Sequence, residues 1–461
     1  MTPAGPKAKS GRGAASPVAP ARLAAWRTLA RVRAGATLPD ALARERDRLA
    51  DPRDRALAQD LATGVLRWRS ALDAALAAAS SRALDRLDAD VLDLLRLAVY
   101  QLQHRDRLPA HAIVSDAVAS TRIAGRASAA GFVNAVLRRM TRTAGAPDPL
   151  DRAVAAGDVA ALAIHGAHPE WLVARWADRY GLEAAAAWLR FDNAPAPLTL
   201  RAVAPRLDRE QLAVRLSAAG VASQPTTWAA DGLVVPSGAA IDSAEVRAGL
   251  CVVQDEASQL VGEFAAAWGG ARRLDVCAAP GGKTIALAAT DALVIAGDRR
   301  PRRVRLLRDT LARAQAHAVR VVQHDAAAPL PYRAVFDCVL VDAPCSGLGT
   351  LRREPDLKWR RAERDLATMA ATQQTMLAHA ARVVAPGGVL VYATCSSEPE
   401  ENDAVADAFL ASQPAFAAAG ALPAPAQAGL RRLEAADGRL RTSPVAHGLE
   451  AFFAAAFRRI G

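Results

Sequence analysis

Two cysteines stand where the sequence predicts that strands end. Cys345 lies in VDAPCSGLG (341–349), directly after the apolar run FDCVLV, and Cys395 lies in VLVYATCSS (389–397). Each stretch is typical of a buried strand followed by a loop of small residues, and α/β proteins bind ligands beyond the carboxyl ends of such strands. Since the chain has only five cysteines in 461 residues, we expect these two thiols to serve one site.

Paired thiols suit methyl transfer to C5 of a pyrimidine. That carbon is a poor nucleophile, and a thiolate that adds to the neighbouring C6 makes C5 reactive toward a methyl donor. The C5 proton and the thiolate must then leave, so a nucleophile and a helper for release are both needed. An ordinary thiol is about 3% ionised at pH 7, whereas alignment contributes roughly 7 to 11 kcal/mol. Placement at one crevice therefore weighs more than thiol acidity.

A glycine loop is predicted after the first strand of the same region. LDVCAAPGGKT (274–284) reads as strand, loop and helix, but it is not a phosphate-binding P-loop, because Cys277 stands where that motif needs glycine. Two adjacent glycines still let the backbone approach a ligand and open a helix toward it. The predicted cofactor loop contains Cys277, Ala278, Ala279, Pro280, Gly281, Gly282 and Lys283.

Three aspartates follow predicted strands and complete the expected cofactor site. Asp298 comes 17 positions after Gly281, where a carboxylate can accept hydrogen bonds from ribose hydroxyls. Asp325 follows the third strand, and Asp342 follows the fourth. Each alone is also compatible with a helix cap or a turn. Together they suit a cofactor with ribose hydroxyls and a cationic centre better than one with phosphates, which they would repel. S-adenosyl-L-methionine is therefore the expected cofactor.

The spacing of apolar residues predicts three domains. Residues 1–20 form a flexible tail, 21–141 an all-helical domain, and 142–152 a linker rich in Pro, Gly and Asp. Residues 153–250 form a small α+β domain that contains the candidate strands PLTLRAV and DGLVVP. From 251 to 461, strands alternate with helices, which is typical of an α/β, Rossmann-like parallel sheet.

Composition favours a polyanionic partner. The net charge is +11 and the pI is about 10.1, an excess that nucleic-acid phosphates neutralise, although it also fits a general bias toward arginine. Only four lysines occur, so Lys358, beside Trp359, is a candidate RNA contact, as are Arg138 and Arg139. The histidines show no metal-ligand spacing, and no apolar run is long enough for a membrane span. We expect a cytoplasmic monomer without a metal.

The motifs resemble those of the RNA (cytosine-5) methyltransferases of the RsmB/NOP2/Sun family. DAPCSG and TCS, preceded by CAAPGGKT, carry the resemblance, and REPDLKW (353–359) and EPEEN (398–402) support it. LRLAVYQL, LPAHAIVSDAV and AGFVNAVLRR are similar to the NusB-like domain of bacterial RsmB-type enzymes that methylate 16S rRNA. The likeness covers about residues 21–461.

The resemblance implies a role for each thiol. Cys395 is implied as the nucleophile and Cys345 as the group that assists release, whereas the logic of the DNA cytosine-5 methyltransferases would make Cys345 the attacker. Asp342 is implied both in cofactor binding and in support of the cytosine ring. The same chemistry on tRNA or DNA, and a non-catalytic RNA-binding or ribosome assembly factor, are the alternatives.

The chain departs from the family pattern at three places. Glu354 replaces the usual histidine of the His-Pro-Asp segment. The number of residues between Lys283 and Asp298 is slightly smaller than the family pattern leads us to expect. Residues 450–453 read Glu-Ala-Phe-Phe where the family has Asp-Gly-Phe-Phe. We expect these four residues to lie in a closing strand.

Overall fold

The structure, a computed structural model, describes residues 18–105, 108–141, 149–236, 238–290, 292–424 and 426–461. The chain divides into two compact units between Val173 and Ala174. Most of the predicted tail (residues 1–17) and of the predicted linker (142–148) lies outside the described residues.

The described residues of the first unit form helices packed around an apolar core. They are α1 (Pro20–Arg33), α2 (Leu38–Arg46), α3 (Pro52–Arg67), α4 (Arg69–Ala79), α5 (Ala89–His104), α6 (Ala110–Ile123), α7 (Ala130–Met140), α8 (Pro149–Ala156) and α9 (Val159–His165). The predicted helical run at 91–102 is confirmed in α5, where Asp88 caps the first turn by accepting a hydrogen bond from the backbone N of Asp90. Val91, Leu95 and Val99 recur at helical spacing along its buried face.

The first unit continues past the predicted boundary at residue 141. Helix α8 begins at Pro149, inside the predicted linker, and packs against α9, which in turn contacts α4. The next helix, α10 (Glu170–Tyr180), contains the division between the units. The Pro-rich composition therefore marks the end of one group of helices, not the end of the unit.

The second unit begins with a four-stranded antiparallel sheet in the order β2-β3-β1-β4. Its elements are α11 (Leu182–Asn193), β1 (Leu198–Ala202), α12 (Arg209–Ala218), β2 (Gln224–Pro225), β3 (Gly232–Val235), α13 (Ala244–Arg247) and β4 (Cys251–Val253). The predicted strands PLTLRAV and DGLVVP are confirmed as β1 and β3. Strand β4 pairs with β1, so it belongs to this sheet, whereas the sequence pattern places residue 251 in the C-terminal domain.

The rest of the second unit surrounds an eight-stranded sheet in the order β10-β12-β9-β8-β5-β6-β7, with β11 paired to β12. The strands are β5 (Arg272–Asp275), β6 (Leu293–Asp298), β7 (Val319–Gln323), β8 (Phe336–Asp342), β9 (Val384–Thr394), β10 (Phe416–Ala418), β11 (Leu440–Arg441) and β12 (Phe453–Arg459). The helices are α14 (Glu256–Ala267), α15 (Gly282–Leu287), α16 (Pro301–Ala314), α17 (Leu357–Arg360), α18 (Asp365–Ala381), α19 (Asp403–Ser412), α20 (Ala428–Leu433) and α21 (Pro444–His447).

The sheet is mixed, which corrects the expectation of a purely parallel one. Strands β5 to β9 are parallel, whereas β12 pairs antiparallel with β9, and β10 and β11 pair antiparallel with β12. The predicted closing strand is displaced, since β12 begins at Phe453 and Glu450 lies before it.

The strand order creates a switch point between β5 and β8. From β5 the chain runs outward to β6 and β7, and it then returns to β8 on the other side of β5. Loops that leave the carboxyl ends of these two strands diverge and open a crevice there. The predicted alternation of strands and helices is thus confirmed in β5 to β9, and the order of these strands determines where the site lies.

Candidate active site

The loop after β5 requires glycine at position 281 and is closely packed at Gly282. Gly281 has φ +116°, a left-handed conformation that side chains disfavour. A Cβ added to Gly282 would lie 2.9 Å from Cδ of Gln254. Arg201 of β1, which is buried, holds the loop from the other side by donating a hydrogen bond from Nη1 to the carbonyl oxygen of Gly282 at 3.1 Å. The antiparallel sheet therefore fixes the position of this loop.

The loop lines a cavity of about 300 Å³ at the switch point. The cavity brings together most of the predicted cofactor residues, namely Cys277, Ala278, Ala279, Pro280, Gly282, Lys283 and Asp342. Asp342 ends β8, and its Oδ2 accepts a hydrogen bond from Nζ of Lys283 at 2.7 Å. Burial lowers the pKa of Lys283, but the pairing with Asp342 outweighs this and raises it overall. Lys283 is therefore a cation.

Asp275 is a residue of this cavity that the sequence analysis did not select. It ends β5 and is buried, and its Oδ2 accepts a hydrogen bond from Oγ1 of Thr284 at 2.7 Å. Its Oδ1 accepts no hydrogen bond from any residue that the structure describes. Burial, with a contribution from the nearby Asp342, raises the pKa of Asp275 to about 7. The sequence feature that could have identified Asp275 is its position at the end of the first strand in LDVCAAPGGKT, before the two glycines.

Asp298 and Asp325 lie at the same edge of the sheet but not in the cavity lining. Asp298 ends β6, and its Oδ2 accepts a hydrogen bond from Nε of Arg303 at 2.9 Å. Asp325 accepts a hydrogen bond from the backbone N of Ala327 at 3.0 Å, as a turn residue does. The structure thus groups Asp275 and Asp342 around the cavity and leaves the other two carboxylates beside it.

The two thiols that the sequence singled out meet. Sγ of Cys345 lies 3.1 Å from Sγ of Cys395, because β8 and β9 are adjacent parallel strands whose loops leave the sheet side by side. The backbone N of Gly349 donates a hydrogen bond to the carbonyl oxygen of Cys395 at 3.0 Å. A Cβ at Gly349 would lie 2.0 Å from the carbonyl oxygen of Ala451, so glycine is required where the loops cross.

A buried glutamate, Glu401, ties both cysteine loops together. Its carboxylate accepts hydrogen bonds from the backbone N of Ser346 at 2.8 Å and from Oγ of Ser396 at 2.6 Å, the residues that follow the two cysteines. Nε2 of Gln373 donates to the same carboxylate at 3.0 Å. Glu401 is fully buried, so these hydrogen bonds satisfy its charge and fix the separation of the thiols.

A second buried carboxylate, Glu398, anchors the Cys395 loop to α10. Nε of Arg175 donates to its Oε2 at 2.8 Å, and Nε1 of Trp176 donates to its Oε1 at 3.1 Å. Arg179 also pairs with Oε2. Three donors from one helix compensate for the burial of this charge. The EPEEN segment therefore positions the loop.

Cys395 is protonated in the resting site. Its hydrogen bond with Cys345 and its burial raise the pKa of the Cys395 thiol well above the ordinary value, and Asp342 adds to the effect. Lys283 acts in the opposite direction, because its positive charge stabilises the thiolate. The alignment of the two thiols, not acidity, is what this arrangement provides.

The residues predicted to contact RNA differ in their exposure to solvent. Arg138 and Arg139 are exposed in the last turn of α7. Lys358 is buried, and its Nζ donates a hydrogen bond to Oδ1 of Asn193 at 2.9 Å, so its ammonium is not presented to a ligand and the expectation of an RNA contact is wrong. Trp359 is half-buried. The rare lysine at position 358 therefore fills a buried position whose hydrogen-bond acceptor is Asn193.

Two further cysteines and Trp176 lie in the interior of the second unit. Cys251 and Cys338 are buried, and burial raises the pKa of each to about 12. Trp176 is fully buried and stacks on Trp188, with ring centroids 4.7 Å apart.

Neither a metal cluster nor a membrane span emerges from the described part of the chain. No group of three or more His, Cys, Asp or Glu side chains among the described residues could hold a metal ion. No described helix is long and apolar enough to cross a membrane.

Comparisons with known families match three successive parts of the chain. The family described as 16S rRNA methyltransferase RsmB/F matches residues 268–458, the NusB family matches 19–142, and the ferredoxin-like domain of RsmF/B-like methyltransferases matches 168–242. The fold is therefore a NusB domain, a small ferredoxin-like domain and a Rossmann-like methyltransferase domain.

Relatives match over most of their length. The probable ribosomal RNA small subunit methyltransferase B of Bacillus subtilis is 33% identical over 88% of this chain and 91% of its own. Ribosomal RNA small subunit methyltransferase B of Pseudomonas putida is 35% identical over 89% of this chain and 93% of its own. The crystal structure of PH0851 shares the fold with a TM-score of 0.78, at 23% identity over 96% of this chain and 99% of that one.

Fold and site together define a methyltransferase with an attached helical domain. The extent and identity of the match to the curated relatives go further: the chain belongs to the RsmB/F family of 16S rRNA methyltransferases.

Proposed function

We propose that this protein methylates C5 of a cytosine in 16S rRNA, with S-adenosyl-L-methionine as the methyl donor and Cys395 as the nucleophile. The observation that carries the proposal is the 3.1 Å separation of the Sγ atoms of Cys345 and Cys395. A single thiol would suffice for many reactions, but a covalent adduct at C6 must both form and be released. The relatives named above supply the choice of 16S rRNA.

The cavity suits this cofactor, which supplies a methyl group on a positively charged sulfur when it is bound. Oδ1 of Asp275 is a buried acceptor that has no hydrogen-bond partner among the described residues, and the Asp342 carboxylate lies in the same lining. A cationic or hydroxyl-bearing ligand satisfies such oxygens, whereas a phosphate would be repelled. We propose that residues 277–283 and Asp342 hold the cofactor together with Asp275, and that Asp298 and Asp325 contribute from the edge.

Cys395 is the proposed point of attachment to the base. The Cys395 thiol first loses its proton to solvent, and the resulting thiolate forms a bond to C6 while the electron pair of the C5–C6 double bond moves to C5. That electron pair takes the methyl group from the sulfonium sulfur of the donor, which leaves as the neutral thioether S-adenosyl-L-homocysteine. Loss of the C5 proton then returns an electron pair to the C5–C6 bond, and the C6–S bond breaks with its electrons on sulfur. Cys345, whose Sγ is 3.1 Å from that of Cys395, assists this release. We propose that Asp342 also supports the cytosine ring.

Substitution of each cysteine separates the two roles. Cys395→Ala removes the nucleophile, so we expect neither methylation nor a covalent RNA complex, although RNA and cofactor still bind. Cys345→Ala lets the adduct form and accept its methyl group but stalls release, so an RNA–protein adduct should survive denaturing electrophoresis. Cys338→Ala, a buried thiol within β8 that is not part of the cavity lining, is the matched control and should methylate RNA without trapping an adduct.

Other outcomes would change the mechanism or the substrate. Trapping by Cys395→Ala but not by Cys345→Ala would reverse the roles, and trapping by neither would leave the two-thiol mechanism without support. Bisulfite sequencing of rRNA and tRNA, with and without the protein, identifies the methylated RNA. Modification of tRNA alone would overturn 16S rRNA as the target, and no modification at all would favour a binding or assembly factor.

The proposed setting follows from the substrate. A protein that modifies 16S rRNA acts in the cytoplasm, where the small ribosomal subunit is assembled, and we propose that it acts as a monomer with RNA as its partner.

A further inference from the structure

Helix α16 carries a concentration of arginines that the proposed chemistry leaves unused. Seven arginines and one carboxylate, Asp309, occur between residues 299 and 313. The buried face of the helix is apolar and includes Val304, Leu307 and Leu311. The positive charge therefore lies on the face that points away from the sheet.

Three of these arginines form a continuous ridge without protein partners. Arg302, Arg305 and Arg308 are exposed and recur every third residue, so they follow one another along one side of the helix. Within the described part of the chain, none of the three makes a hydrogen bond or an ion pair. By contrast, Arg303 on the same helix is paired with Asp298 at 2.9 Å. Unpaired guanidinium groups held on a rigid helix are suited to bind phosphate oxygens.

The basic surface continues from the helix onto the edge of the sheet. Arg308 lines a cavity of about 290 Å³ together with His317 and Arg320. Arg320 belongs to β7, the last strand of the order, so no further strand covers this edge. We define Arg302, Arg305 and Arg308 as the arginine ridge; it spans about 9 Å along the helix axis.

The position of the ridge matches the reach of an RNA strand. Helix α16 begins three residues after β6 ends, so the ridge starts at the carboxyl edge of the sheet where the thiols lie. Three strand spacings separate β9 from β6 in the order β9-β8-β5-β6, or about 14 Å. When one nucleotide is bound at Cys395, the phosphates of neighbouring nucleotides in the strand can therefore reach the ridge.

We propose that the arginine ridge of α16 is a docking surface for the phosphate backbone of the substrate RNA. The inference rests on the proposed function, because it assumes that RNA is the substrate, and it names the surface of the methyltransferase domain that holds it. Phosphate contacts position the RNA without reading its sequence. The ridge contributes affinity and orientation, and the choice of nucleotide is made elsewhere.

A charge-matched pair of triple variants tests the ridge in the full-length protein. Arg302→Gln/Arg305→Gln/Arg308→Gln removes three charges from the ridge. Arg272→Gln/Arg333→Gln/Arg382→Gln removes three charges from exposed arginines at the opposite edge of the same sheet, where Arg272 is the first residue of β5 and Arg333 and Arg382 precede β8 and β9. Both variants have the same net charge, so a difference between them reports location and not overall attraction.

The readout is the salt dependence of binding to a 16S rRNA fragment. Each phosphate contact contributes about 0.7 to 0.9 to the slope of log affinity against log salt, so the ridge variant should lose about 2 units of slope and bind roughly tenfold or more weakly at low salt. The control variant should stay close to wild type. Cofactor affinity, measured by calorimetry, should be unchanged in both and shows that both fold.

The outcomes separate this inference from the proposed function. If wild type methylates the RNA and the two triple variants bind equally well, the ridge is overturned and the proposed function stands. If wild type neither binds nor methylates RNA, both are overturned. A loss of slope confined to the ridge variant supports the docking surface.

Discussion

At the scale of single residues, one buried carboxylate controls the cofactor cavity. Asp275 ends β5, and its Oδ1 accepts no hydrogen bond within the part of the chain that the structure describes. Burial raises its pKa to about 7, so the carboxyl group is neutral in acid and becomes a buried charge above that pH, which the hydrogen bond from Thr284 compensates only in part. A positively charged ligand would reverse this penalty. The ionised Asp275 therefore destabilises the protein without its cofactor and stabilises the complex with a positively charged ligand.

Asp275→Asn should separate these two effects. Because the folded pKa lies above the unfolded one, wild type without cofactor should lose roughly 1 to 3 kcal/mol of stability as the pH rises from 5 to 8. The variant should lack this loss and be more stable than wild type at pH 8. It should also bind the cofactor about tenfold or more weakly, since a hydrogen bond to a charged group is lost.

Denaturant unfolding at the two pH values and calorimetry with S-adenosyl-L-methionine measure these changes. Wild-type affinity should rise as the pH increases through 7. Asp309→Asn, an exposed carboxylate of α16, serves as the control. A variant that is less stable at pH 8 and binds normally would show that Asp275 has only a structural role.

At the scale of elements, adjacent parallel strands present the thiols and one glutamate holds their loops. Strands β8 and β9 pair from Phe336↔Val384 to Asp342↔Ala393, which brings the two loops together. Glu401 then binds Ser346 and Ser396, the residues that follow the thiols. The register of β8 and β9 alone would place the two cysteine loops close to each other. The carboxylate fixes the contact distance.

Glu401→Ala should lower catalysis more than cofactor binding. The change removes the acceptor that four buried donors on Ser346, Ser396 and Gln373 share, and it should destabilise the fold by about 3 kcal/mol. The methylation rate should fall by about two orders of magnitude because a misplacement of 1 Å has that effect. Glu401→Gln, which keeps an acceptor, should recover part of the rate.

Single-turnover methylation and cofactor calorimetry provide the comparison. Glu210→Ala, a 70% exposed side chain on α12, is the control and should change neither quantity. Equal losses of rate and of cofactor affinity in Glu401→Ala would contradict a role confined to the thiol loops.

At the scale of the whole molecule, the two units have separate cores. The cavity, both thiols and the glutamates that hold them all lie in the second unit, from Ala174 onward. The first unit contains the NusB domain with Arg138 and Arg139 exposed on α7. We propose that this domain recognises RNA while the second unit carries out the chemistry.

Removal of residues 1–168 should separate recognition from chemistry. A cut at residue 141 would leave α8 and α9 without α4, against which α9 packs, so the cut belongs before Pro169. The shortened protein should bind cofactor with unchanged affinity but methylate rRNA at least about tenfold less efficiently, since the phosphate contacts of the first unit are lost. Calorimetry and bisulfite sequencing measure the two effects. Methylation of the same cytidine at full efficiency would exclude recognition by the helical domain.

The sequence alone determined the elements and the chemistry-bearing residues near strand ends. Apolar runs with period two or 3.6 and the breaks between them are local properties, so β1, β3 and the parallel strands β5 to β9 were predictable. The glycine loop, Cys345, Cys395 and Asp342 followed, because loops after buried strands are where small and reactive residues stand out.

Only the tertiary structure decided which strands are neighbours and which side chains are satisfied. The pairing of β4 with β1 and the antiparallel β12 depend on contacts between distant segments, which no local pattern encodes. Burial of Lys358 beside Asn193 and the orphaned Oδ1 of Asp275 have the same origin. The residues that pack around a polar group decide whether it is solvated, hydrogen-bonded or without a partner, and this packing is a property of the folded molecule.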